Sequence, residues 1–165
     1  MLTRHALPRA SLAPFGLAAL AVCAMTLSAA AQERFSGEWV IAHAVAAPWA
    51  SNPKDKSDEA EAQRLLGKHM TIGKGVFRGP QPLGCAKPTF AFRDVKADTL
   101  FEGSLNADGA GKPADPVAAA RALGFAEPSA RALTASCSEV EFVLADPDTL
   151  LFGLNNRVFT AKRGK

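Results

Sequence analysis

The sequence predicts a mostly β domain with two short helices, folded as a small antiparallel barrel or sandwich. Two observations carry this. Short runs of apolar, β-branched and aromatic residues recur along the chain, bounded by Gly, Pro, Asn and Asp, which is how strands and their turns read. Only two segments combine helix-type composition with helix caps, and both are short. Strands do not alternate with long helices, so a doubly wound α/β fold is disfavoured. About seven or eight short strands at this spacing suit a barrel or sandwich.

In chain order, Gly37 to Val45 reads as a first strand, ended by Pro48, which cannot donate to a ladder. Ser51 to Lys56 is a polar loop. Ser57 to Leu66 reads as a helix, with Ser57 as cap, Asp58 and Glu59 in the dipole-favoured first turn and Gly67 as stop. Met70, Ile72 and Val76-Phe77 suggest one strand broken or bulged at Gly73 and Gly75. Thr89 to Val95 alternates, with Phe90 and Phe92 on one face and Ala91 and Arg93 on the other. Leu100-Phe101 and Leu105 mark a further short strand, and Asn106 to Pro113 a Gly-rich surface loop. Asp115-Pro116 opens the second helix and Gly124 closes it. The tail reads as a meander of four strands, 133–137, 140–144, 149–154 and 157–161. Its turns are Ala145 to Asp148 and Asn155-Asn156, the latter suited to the positive φ of a tight hairpin.

The first 31 residues read as a cleavable secretory signal. Arg4, His5 and Arg9 give a basic start, Leu12 to Leu27 an apolar stretch, and Ala29-Ala30-Ala31 the small-residue cleavage pattern. The apolar stretch falls short of the roughly 20 residues a spanning helix needs, and Pro14 and Gly16 interrupt it. A variant reading attaches lipid at Cys23, where Leu20-Ala21-Val22-Cys23 loosely matches a lipoprotein box. The expected product is one domain, residues 32–165, periplasmic or secreted, meeting the membrane only through the transient signal. Arg4 and Arg9 leave with the signal, so most of the excess of 19 basic over 16 acidic residues goes with them. Without a concentrated basic stripe, nucleic acid is not an expected partner.

Cys85 and Cys137 remain as an even pair in an oxidising compartment, which predicts a disulfide. They have no CxxC spacing and no nearby His, so neither a redox centre nor a zinc site is expected. His43 and His69 are the other metal-ligand types of note, and no third ligand is spaced with either. No metal is assigned.

Phe35-Ser36-Gly37-Glu38-Trp39 carries a G-x-W. It resembles the motif that opens the first strand of lipocalins and other calycin-type barrels. The resemblance implies that Trp39 closes one barrel end and that an Arg from the last strand, Arg157 or Arg163, packs over it. It makes a calycin-like barrel the favoured architecture, with Gly37, Trp39 and Arg157 as the structural barrel end. The plainer alternative is a core Trp in an edge strand of any small β fold.

Trp49, at a strand end beside a polar loop, is a candidate contact for a ligand or partner, or else a plug for the barrel end. His43 stands four residues after Trp39, so an unbroken strand puts both on one face and makes His43 a second candidate. Glu139 and Glu141 lie at strand spacing and are expected on the wet side of a strand. Gly109-Ala110-Gly111-Lys112 and Gly73-Lys74-Gly75 miss the phosphate-loop and dinucleotide spacings and open no helix. Hence no cofactor is expected, and no catalytic motif identifies an enzyme. Two functions remain open. One is an exported module holding a small apolar or amphipathic molecule in the barrel. The other is a module that binds an envelope protein, such as an inhibitor or accessory factor of a hydrolase.

Overall fold

Eight strands pair antiparallel throughout into one curled sheet, a half-barrel. The computed structural model describes residues 31–127 and 129–164. The stretch read as a secretory signal, up to residue 30 and including Cys23, lies outside the described residues. The strands are β1 (Gly37–Ala46), β2 (His69–Gly73), β3 (Val76–Arg78), β4 (Phe90–Lys96), β5 (Ser129–Ala135), β6 (Glu141–Asp146), β7 (Thr149–Leu154) and β8 (Arg157–Arg163). Their spatial order is β3-β2-β1-β8-β7-β6-β5-β4. The helices are α1 (Lys56–Leu65) and α2 (Pro116–Ala122), with one helical turn at residues 31–35 and a 3-10 segment at Ala97–Asn106.

Pairing of the first strand with the last bends the sheet. Trp39 faces Arg163 and Ala46 faces Arg157 in the β1–β8 ladder. The concave side then packs Trp39, Ile41, Phe77, Phe142, Phe152 and Phe159, each at most 1% exposed. Phe152 and Phe159 stack nearly parallel with centroids 5.0 Å apart. One end is closed by the turn at residues 31–35, whose Phe35 lies against Phe92. At the other end α1 brings Ala62 and Leu65 into the core, and its Asp58 accepts from the Asn156 side chain at 2.9 Å.

The β3 and β4 edges leave a seam that no ladder closes among the described residues. The connection between them covers it. Leu83 is fully buried, Cys85 N–H donates to Phe77 C=O at 2.8 Å, and Cys85 is disulfide-bonded to Cys137 just after β5. The expected disulfide is therefore a clasp across the open side of the sheet.

The convex side is covered too. The chain between β4 and β5 lays Leu100, Phe101, Leu105, Ala120 and Phe125 over Val95, Ala132, Val143, Leu151 and Val158. This is why β6 and β7 are apolar on both faces, the near-continuous pattern of doubly buried strands.

The structure corrects several sequence expectations. Leu100, Phe101 and Leu105 belong to the 3-10 segment, not to a strand, because Phe101, Glu102 and Gly103 are all left-handed. Met70 to Phe77 is a hairpin, β2 and β3, because the turn at Gly75 (φ 67°) reverses the chain. Asp55, not Ser57, caps α1. The Ser57 hydroxyl and amide both donate to Asp55, and these bonds hold its carboxyl below the usual carboxylate value.

Candidate functional site

Three segments meet on the convex side near the ends of β6 and β7. The chain leaving β1 supplies Trp49, whose Nε1–H donates to Asn155 C=O at 3.2 Å. The left-handed turn supplies Phe101, with its ring centroid 5.4 Å from that of Trp49. Two consecutive non-glycine left-handed residues, Phe101 (φ 49°) and Glu102 (φ 58°), cost roughly 1–2 kcal/mol each. Burial of the Phe101 ring against Trp49 and Phe125 offsets that cost.

The floor is Gly153 of β7. A Cβ there would stand 3.3 Å from Phe101 Cδ1 and 3.3 Å from Trp49 Cζ2, so the missing side chain is what lets both rings rest on the strand. Glu141, on β6, is one step beyond the Phe142–Phe152 pair, as is Gly153 on β7, so the two are neighbours on one face. The Glu141 side chain is only 5% exposed. Its Oε1 accepts from Arg93 Nε at 2.8 Å and Nη2 at 2.5 Å. Its Oε2 has no partner among the described residues. With Glu102, Ser104, Glu139 and Asn155 these groups line a cleft of about 160 Å³.

The site brings together Trp49 and the Glu139–Glu141 pair, and leaves His43 out. A bulge in β1 between Ile41 and His43 shifts the register by one residue. It turns His43 to solvent on the face opposite Trp39, while Ala44 packs on the core. Glu141 is likewise corrected from the wet face to a buried one, its side chain held by Arg93 beside the Trp49 and Phe101 rings.

At the far end, Arg163 takes the place expected for Arg157. Arg163 Cζ lies 4.3 Å from the Trp39 ring centroid, and its Nη atoms donate to the Ser36 and Arg34 carbonyls at 2.7 and 2.8 Å. Arg157 pairs with Ala46 at the opposite end of β8, since a seven-residue strand separates the two arginines. Gly37 completes the corner: its φ of 129° disfavours a side chain, and a Cβ would meet Arg163 Nη1 at 2.9 Å.

Comparison with protein-family models, curated proteins and solved structures finds no match to this chain. Gly153 was missed by sequence reasoning, and Glu141 was read as a wet-face residue. A Gly inside an apolar strand, Leu150-Leu151-Phe152-Gly153-Leu154, signals close approach of another group. A Glu opening the apolar run Phe142-Val143-Leu144 signals a buried acid.

Gly153→Val tests the floor. Its side chain must displace both rings, an overpacking cost of about 1–3 kcal/mol. The expected result is a lower denaturant midpoint together with red-shifted Trp emission as Trp49 lifts into water. Unchanged emission would place the rings elsewhere.

Proposed function

We propose that this chain is exported, loses its signal after Ala31, and works as a binding domain that docks an envelope protein at the Trp49 cleft. The observation that carries the reading is the contrast between the two sides of the sheet. The concave side is filled by Trp39, Phe77, Phe142, Phe152 and Phe159, each at most 1% exposed, while the convex cleft is lined by a half-buried Trp, a phenyl ring and a buried carboxylate with one oxygen unpartnered among the described residues. Trp over a shaped floor is the usual anchor of a protein contact. Export is supported by the signal pattern and by the disulfide, a bond that persists in oxidising compartments. Among the described residues no helix is long and apolar enough to cross a membrane.

A small apolar ligand on the concave side would require Phe142, Phe152 and Phe159 to separate, against the cost of opening a packed core. The calycin resemblance rests on the Gly37, Trp39 and Arg163 corner and serves here as an analogy of architecture.

Cross-linking in the envelope fraction tests docking. A cross-linked adduct formed by the wild type and by the surface control Val117→Ala, and lost in Trp49→Ala, is the expected result. An apolar molecule retained by the purified protein in native mass spectrometry would return the function to the barrel interior. Intact mass tests export: the expected N-terminus is within two residues of Gln32. A full-length mass, or a diacylglycerol on Cys23, would refute simple soluble export.

A further inference from the structure

Glu141 Oε2 is a buried acceptor without a donor among the described residues, and Glu141 lines a cleft together with two more carboxylates, Glu102 and Glu139. We infer that the cleft takes a primary ammonium group, supplied by a lysine side chain of the docked protein. This rests on the docking reading above and adds the chemistry of the contact.

A buried oxygen left without a donor is costly, so a bound partner gains by supplying one. The charge decides which kind. Glu102, Glu139 and Glu141 face the cleft, and Arg93 is the cation bonded to them, through Glu141 Oε1 alone. The local field therefore favours a cationic donor over a neutral one. The walls agree, since the Trp49 and Phe101 rings attract a cation that comes over their faces.

The geometry separates ammonium from guanidinium. Arginine prefers to fork onto both oxygens of a carboxylate. Arg93 already holds Oε1 with two bonds, which leaves a single oxygen for an incoming group. An ammonium is a point donor with three separate hydrogens. Its three hydrogens match the polar groups that line the cleft, Glu141 with its free Oε2, the Ser104 hydroxyl and the two other carboxylates. Size points the same way. Pockets for drug-sized ligands run to roughly 300–1,000 Å³, and this cleft, at about 160 Å³, suits one side chain. A metal ion is a poorer fit, because among the described residues no three His, Cys, Asp or Glu groups converge as ligands.

The test is NMR titration of the mature chain with Nα-acetyl-lysine N-methylamide. Trp49 Nε1–H and Gly153 N–H should shift saturably, and the shifts should weaken as salt screens the carboxylates. Acetylating the probe's ε-amine, which removes the charge, should weaken binding about tenfold, as should Glu141→Gln. Because Glu141→Gln also disturbs Arg93, the exposed double variant Glu102→Gln/Glu139→Gln provides the second arm. It should weaken binding with an unchanged melt. Equal binding of the acetylated probe, or no saturable shift, would overturn the inference. n-Butylamine binding more tightly than Gly-Lys-Gly would overturn the lysine source in favour of a free amine. A cross-link that depends on Trp49 without lysine binding would sink this inference and leave docking intact. Lysine binding with a cross-link that survives Trp49→Ala would sink docking at the cleft, and with it the protein source of the lysine.

Discussion

Trp39→Ala is expected to lower stability by about 3–5 kcal/mol, the range for truncating a large buried aromatic. Trp39 is fully buried at the closed end of the half-barrel. The substitution leaves a cavity between Phe35 and the sheet. It also removes the Nε1–H that donates to Phe35 C=O at 2.8 Å, so a buried carbonyl loses its partner. Arg163 loses the ring beneath its guanidinium, a contact of roughly 0.5–2 kcal/mol. For a domain of this length the melting temperature should fall by roughly 10–20 °C. Trp49→Ala is the control. Its indole is half-buried over Gly153, so its loss should cost about 1–2 kcal/mol and act mainly on docking. Equal shifts for the two variants would refute the assignment of one Trp to the core and the other to the site.

Cys137→Ser should cost about 4 kcal/mol by the chain-entropy argument, since the bond closes a loop with a sequence separation of 52. The native state suffers as well, because the clasp ties the β3 edge, through Cys85 and Phe77, to the end of β5. Melting the wild type with a reductant should reproduce the variant. Hydrogen exchange should quicken first at the β3 amides, where the seam opens. A melt insensitive to reductant would show that the connection seals the seam without the bond.

Much of the fold was legible because strand and turn chemistry is local. Pro48, Gly67 and Asn155 stop or turn the chain by their own backbone preferences, and the structure turns or ends an element at each. Asp115-Pro116 opened α2 as read, with the Asp115 carboxylate accepting from the amides of Val117 and Ala118. The errors have physical causes. The β1 bulge adds one residue to a strand of period two, so every later side chain changes face, and His43 moved away from Trp39. Leu100-Phe101 has strand-like composition, yet three left-handed residues in a row fold it onto the sheet.

By itself the sequence determined the β class, two short helices, the paired cysteines and a core place for Trp39, because each depends on residues close in the chain or on composition. Only the tertiary structure decided that Arg163 rather than Arg157 covers Trp39, that the convex face of β4 to β8 is covered, and that Glu141, Gly153, Phe101 and Trp49 form one cleft. These four residues come from three separate stretches of chain. Their meeting depends on strand register and on where the 97–125 segment settles. Both are set by the packing of the whole sheet, which no local pattern encodes.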